Sequence, residues 1–263
     1  MRARNALLLL CVLFALAPAA RGAAAANVFI EDLTWTELRD LIASGKTIVI
    51  IPIGGTEQNG PHMAIGKHNV RVKLLAGKIA AALGSALVAP VLPYVPEGRL
   101  DPPTGHMRFP GTITVPEDAF EKIIEYAARS LKLHGFRDIV FLGDSGSYQR
   151  YQVTVARRLD REWVATAVRV HAIIEYYRQS GQEFAKLLEN RGYPGAEIGT
   201  HAGLADTSLM MALDPSLVRI NRLKPGEGTN GDPSRSSAEL GKIGVDLIVQ
   251  KTVEAIKAAV ARR

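Results

Sequence analysis

Short apolar runs alternate with amphipathic stretches along this chain, and that alternation restricts its fold more than any other feature. Ile48 to Ile51, Leu87 to Leu92, Asp138 to Leu142 and Ala165 to Ile174 read as buried strands, the second interrupted by Pro90. Helical spacing of apolar residues marks Trp35 to Ala43, with Thr34 as N-cap, and then Val70 to Leu83. It recurs from Pro116, in the favoured first helical position, to a stop at Gly135, and again from Gln149 to Val164. Residues 175–199 read as exposed and variable, and a closing helix spans Ala238 to Ala259. Strands alternating with helices predict a mostly parallel central sheet covered on both faces, a layered α/β/α single domain. No internal repeat or interdomain linker breaks residues 27–263.

The polar residues gather where the strands end. After Ile48 to Ile51 comes a Pro- and Gly-bounded loop holding Glu57, Gln58, Asn59, His62 and His68. Open α/β sheets place their sites at such strand ends, and carboxylate and imidazole are ligand types for zinc or manganese. A second loop, Gly143 to Tyr148, carries Asp144, Ser145 and Ser147, and a third carries His201 and Asp206. One divalent ion held by Glu57, His68 and Asp144 leaves a position for water, with His201 as general acid–base and Asp206 as its partner. Residues 93–116 form a long Pro- and Gly-rich segment with His106, of the length expected for a functional loop or lid. His62 and His106 either line a pocket or cap a turn.

Two rival chemistries are weaker. Gly143-Asp144-Ser145-Gly146-Ser147 lacks the final glycine of a nucleophile elbow, although Ser145 with His201 and Asp206 contains the residue types of a serine hydrolase. The same stretch lacks the lysine of a phosphate-binding loop.

The first 26 residues differ from the rest. Arg2 and Arg4 precede the apolar run Ala6 to Leu16, and small residues crowd Ala17 to Ala26, the order of a secretory signal peptide. The apolar run is short for a membrane span. Cleavage near Ala25 or Ala26 predicts a periplasmic or secreted product without stable membrane insertion. It removes Cys11, the one cysteine, which excludes a cysteine nucleophile and thiolate ligands. It also removes three arginines and no acid, lowering the net charge from +6 to +3. That modest excess gives no reason to propose nucleic acid as a partner.

Four motifs in order resemble the creatininase family. PIGGTEQNGPHMAIGKHN resembles its Gly-Ser-x-Glu-Gln-His-Gly-Pro-His-Leu-Pro-Leu-x-Thr-Asp signature, and GHMRFPGTITV its segment ending in Phe-Pro-Gly-Thr. THAGLADTS resembles its His-Ala-Gly-x-x-Glu-Thr-Ser, and GDPSRSSAELGK its Gly-Asp-Pro before a helix. The resemblance implies a layered α/β oligomer with one or two divalent metals, commonly zinc or manganese, that hydrolyses C–N bonds of small molecules. It matches Glu57 to a metal-binding glutamate, His201 to the catalytic histidine and Asp206 to the glutamate of Glu-Thr-Ser. Asn59 stands where the family has a metal-binding histidine, and His68 where it has a bridging aspartate. The next ligand position falls on Asp144 or on Ser145, depending on which glycine is aligned.

A neutral imidazole has one lone pair for coordination and does not bridge two ions. The exchanged residue types at 68 and 144 therefore imply one zinc or manganese per chain, held by Glu57, His68 and Asp144. His201 and Asp206 are then catalytic, and Asn59, His62 and Ser145 face a small-molecule substrate. A catalytically silent relative that binds a small molecule is the alternative. The likeness also implies a homo-oligomer.

Overall fold

The computed structural model describes residues 27–262, so the signal-peptide expectation and Cys11 fall outside the described residues. Four strands form one sheet: β1 (Ile48–Ile53), β2 (Ala86–Val88), β3 (Asp138–Gly143) and β4 (Arg169–Ala172), in the order β2-β1-β3-β4. Every pairing is parallel, with Ile48 opposite Ala86 and Asp138, and Asp138 opposite Arg169. Residues of β1 are buried on both faces, which is why this strand reads as an unbroken apolar run.

The helices in chain order are α1 (Trp35–Ala43), α2 (Lys67–Leu83), α3 (Glu117–Leu133), α4 (Gln149–Glu162), α5 (Ile174–Arg178), α6 (Phe184–Glu189), α7 (Gly195–Ile198), α8 (Leu204–Leu213) and α9 (Ala238–Val260). Successive strand residues point to opposite faces, and each face builds its own core. Ile48 and Ile50 of β1 and Val140 and Leu142 of β3 pack with Leu75 and Ile79 of α2, Leu209 of α8 and Ile248 of α9. Val49, Ile51, Ile139 and Phe141 pack on the other side with Phe120 and Ile124 of α3 and Val155 and Leu159 of α4. The product is a three-layer α/β/α domain.

Some boundaries differ from the sequence reading. Helix α2 begins at Lys67, so Lys67 and His68 stand in its first turn and Arg71 one turn on from Lys67. Pro116 is the N-cap of α3, one position before the expected one. Strand β2 ends at Val88 because Pro90 cannot donate to a ladder, and β4 keeps only Arg169–Ala172 of its apolar run. Residues 175–199 are largely helical and bury Tyr176, Phe184 and Leu188; a π-helical turn, Gln179–Glu183, joins α5 to α6.

Strand β1 leads outward to β2 on one side, and the chain then returns to place β3 on the other. The carboxyl ends of β1 and β3 therefore flank a switch point, where open α/β sheets form their crevice. The loops bearing Glu57 and Asp144 leave from those ends.

Candidate active site

A pocket of about 390 Å³ opens at that crevice, lined among others by Glu57, Lys67, His68, Arg71, Glu97, His106, Asp144, Ser145, His201 and Asp206. The three polar loops found in the sequence converge here, joined by the 93–116 segment and the start of α2.

Tyr148 fixes the two strand-end loops to each other. Its hydroxyl accepts the N–H groups of Asp144 and Ser145 at 2.8 and 2.9 Å, and lies 2.7 Å from the carbonyl oxygens of Ile53 and Gly54. The amides of Asp144 and Ser145 are thus spent on Tyr148 and are not offered to a phosphate. The serine-hydrolase arrangement is not assembled either. Ser145 Oγ meets only Ser147 Oγ, at 3.4 Å, and no imidazole hydrogen-bonds it.

Glu57, His68 and Asp144 do meet, in a closed array. His68 Nε2 lies 2.7 Å from Glu57 Oε1, and its Nδ1 lies 2.7 Å from Asp144 Oδ2. Both ring nitrogens are committed to carboxylates, so neither lone pair is offered to an ion. Arg71 Nε takes Asp144 at 2.9 Å while its Nη1 takes Asp206 at 2.6 Å. Lys67 Nζ adds a contact to Asp206 at 3.1 Å. Tyr176 donates to Asp144 Oδ1 at 2.5 Å. Burial alone raises the pKa of Asp144, but Arg71 and His68 hold it below the usual carboxylate range. Burial opposes ionisation of Asp206 too, and Lys67 and Arg71 overcome it. The expected Glu57/His68/Asp144 ligand set is therefore occupied by the chain's own donors, with Arg71 and Lys67 supplying the positive charge an ion brings.

The imidazoles that remain open come from residues spaced far apart in sequence. A short 3₁₀ turn, Gly105–Arg108, carries His106 into the pocket, where its ring stacks on His201 with centroids 4.4 Å apart. His106 Nε2 is 3.5 Å from Glu57 Oε2, and His201 Nδ1 is 3.8 Å from Glu57 Oε1. Among the described residues, Glu57, His106 and His201 are the group whose ligand atoms lie close enough together to hold a metal.

Their chemistry fits one ion. Burial pushes the Glu57 pKa up, but the His68 hydrogen bond and charge outweigh it, so Glu57 is a carboxylate. Burial, helped by Lys67, lowers the His201 pKa to about 4, which keeps its ring neutral near pH 7. Its Nε2 lies 2.9 Å from the Gln58 carbonyl oxygen, an acceptor that holds the proton there and leaves the Nδ1 lone pair facing Glu57. Gln58 Oε1 accepts the Gly60 N–H at 2.8 Å, so the Gln58 amide donates to His106 Nδ1 at 2.7 Å. For His106 Nε2 to act as a ligand, Gln58 must turn its oxygen towards that ring. A second ion at the Asp144 and Asp206 end does not fit, because Lys67 and Arg71 already fill it.

Of the residues expected to face substrate, Ser145 lines the pocket and the other two do not. Asn59 is buried, and its Nδ2 ties down the Glu57 carbonyl oxygen at 2.9 Å. His62 is buried beneath the loop, with Nε2 2.9 Å from Thr207 Oγ1. Asp206, expected to orient His201, forms no hydrogen bond with it. It accepts instead from the Ala202 N–H at 3.0 Å and pins the residue after His201, whose φ is 53°. Such left-handed backbone at a non-glycine residue stores strain and is concentrated at functional sites.

Glu97 was not singled out by its position in a Pro-rich loop. Its carboxyl is buried beside Glu57, with Oε1 lacking a hydrogen-bond partner. Burial, and then the Glu57 charge, push its pKa up to about 9. Gly55, at φ 147°, makes room for it: a Cβ there would lie 2.7 Å from Glu97 Oε1.

Comparisons with known proteins agree with this architecture. The profile of the family described as creatininase, creatinine amidohydrolase, matches residues 31–256. Creatinine amidohydrolase of Pseudomonas putida is 27% identical over 262 residues, covering 88% of this chain and 96% of that protein. The mycofactocin precursor peptide peptidase of Mycolicibacterium smegmatis is 25% identical, over 68% of this chain and 63% of its own. Among solved structures, creatinine amidohydrolase superimposes with a TM-score of 0.71 at 27% identity, over 89% of this chain and 98% of its own. Related creatininase structures are described as a Zn-Zn type and as a manganese form. With a matched segment that spans every strand and every pocket loop, this chain belongs to the creatininase family of metal-dependent amidohydrolases.

Proposed function

We propose that this protein hydrolyses an amide or other non-peptide C–N bond of a small molecule, using one zinc or manganese ion held by Glu57, His106 and His201. The observation that carries this reading is the meeting of the ionised Glu57 carboxylate, the open Nδ1 of His201 and the His106 ring in a pocket whose other acids are already neutralised. An ion bound there supplies Lewis acidity and lowers the pKa of a coordinated water. His201 then acts as a ligand through the Nδ1 that would otherwise take a proton. Gln58 orients the His201 ring through its carbonyl oxygen and must turn its side-chain oxygen to His106 for that ring to ligate. Glu97, protonated at neutral pH, holds a proton on the pocket wall where a departing nitrogen needs one. Asp206, Lys67 and Arg71 position the floor and the His201 loop without exchanging protons.

Elemental analysis of the purified protein tests the reading. The expected result is about one zinc or manganese per chain, with metal lost and affinity reduced at least tenfold in His201→Ala. Two ions per chain would mean that Lys67 and Arg71 do not exclude the second. A protein that stays metal-free after reconstitution favours the alternative, a family member that binds a small molecule without turning it over; the closed His68 array is the observation on its side.

Export is part of the same proposal, supported by the basic, apolar and small-residue order of residues 1–26. N-terminal sequencing of the product tests it, and an intact Met1 on mature protein sinks it. A homo-oligomer is proposed from the family likeness, with sedimentation as its measurement.

A further inference from the structure

A second, wider cavity of about 550 Å³ adjoins the active-site pocket, sharing Gly146 and Tyr177 with it. One wall is a single face of α4, since Arg150, Val153, Thr154 and Arg157 recur at helical spacing. The opposite wall is α5 and the π-helical turn, which bring Tyr177, Arg178 and Gln182. No acidic side chain lines this groove. Among the described residues Arg157 and Arg178 have no ion pair, and Arg150 turns aside to Tyr151, stacking 4.6 Å from its ring.

Arg157 and Arg178 line one groove without a carboxylate, Arg150 lies at its edge, and a concave wall concentrates their positive field. Arg129, Arg158 and Arg235 each meet a carboxylate, and several exposed arginines do not; what sets Arg157 and Arg178 apart is that they share one concave wall without an acid. The two cavities meet at Gly146 and Tyr177. A Cβ at Gly146 would lie 2.6 Å from the Tyr177 hydroxyl. The π-helical turn contributes to both cavities, with Ser180 and Gly181 on the catalytic side and Gln182 on the arginine side. Single π-turns inside helices occur frequently at functional sites.

We propose that the arginine-lined groove binds an anionic group, a carboxylate or a phosphate, carried by the substrate away from its scissile bond. This rests on the hydrolase reading for the word substrate, and names its class: an amide-type molecule with a negatively charged tail. Planar guanidinium forks recognise both anions in bidentate geometry. The groove then sets orientation, while the Glu57 pocket receives the C–N bond.

Calorimetric titration of the full-length mature chain, with and without chelator, tests the proposal on three probes. These are N-acetylglycine, its neutral analogue N-acetylglycinamide, and N-acetyl-O-phosphoethanolamine. The expected result is a preference of about tenfold or more for an anionic probe at low salt, fading as ionic strength rises. The tighter of the two anions identifies the tail as carboxylate or phosphate. The double variant Arg157→Gln/Arg178→Gln abolishes the preference, while Arg161→Gln, on the same helix but outside the groove, leaves it intact. Equal binding of charged and neutral probes overturns the proposal, as does an equal loss in Arg161→Gln, which would mark a general charge effect. Circular dichroism confirms that the exposed substitutions leave the fold intact. Binding does not require turnover, so the two readings fail separately: a metal-free, inactive chain that still prefers the anion keeps the groove and loses the hydrolase.

Discussion

Gln58 has no acid, base or nucleophile to offer, yet the orientation of both open imidazoles depends on it. Its side-chain oxygen is held by the Gly60 N–H, its amide faces His106 and His201, and its own carbonyl takes the His201 ring. Gly228 must be a glycine for this to work, since a Cβ there would lie 2.1 Å from Gln58 Oε1. An amide in this place donates to His106 Nδ1, the nitrogen that must itself donate when Nε2 holds an ion. A carboxylate would accept from both rings and keep the Gly60 hydrogen bond. Gln58→Glu is therefore expected to raise zinc affinity by about tenfold or more, read by competition with a chromogenic chelator. Unchanged or weaker affinity would mean that His106 is not a ligand.

At the level of elements, the strands are legible because β1 and β3 bury both faces and leave no polar interruption until their carboxyl ends. Two of the three polar loops follow from the same fact, since backbone leaving a buried strand must satisfy its groups. The third joins α7 to α8, with Asp206 already in α8, and does not lie at the strand end expected for it. The start of α2 is harder to see. Lys67, His68 and Arg71 look like a solvated basic turn, and they face inward only because Asp144 and Asp206 arrive from β3 and α8. His106 is left open by the sequence between pocket and turn for a related reason. Its value comes from stacking on His201, ninety-five positions later in the chain, which no local pattern records. The contact between α8 and α9 is equally invisible locally. Gly241 lies so close to α8 that an added Cβ would sit 1.8 Å from the Ser208 carbonyl oxygen. Gly241→Ala is expected to destabilise the protein by about 3 kcal/mol, despite alanine's better helix propensity, as measured by urea unfolding. A neutral or stabilising result would show that the two helices can separate at little cost.

For the whole molecule, the pocket makes stability depend on pH in a defined direction. Glu97 ionises at about 4.3 in an unfolded chain and at about 9 in the folded one. Its contribution is fully present below the lower value and is lost as pH rises towards the upper. His201 works at the other end: its folded pKa of about 4 lies below the ordinary 6.5, so stability falls as pH drops through that interval. Above pH 6.5 only the Glu97 effect of this pair remains. Metal-free protein should lose thermal stability between pH 6.5 and 9, and Glu97→Gln should flatten that slope and raise Tm at pH 8. The shift is roughly 2–4 °C for each kcal/mol in a chain of this size. An unchanged slope in the variant would mean that Glu97 is already ionised in the fold.

Lys67 and Arg71 have one more consequence, which concerns supply rather than geometry. An ion must be acquired from the surroundings and can be stripped away, whereas these two cations are made with the chain. Asp144 and Asp206 are compensated whether or not an ion is bound, so the charge balance on this side of the crevice does not depend on metal supply.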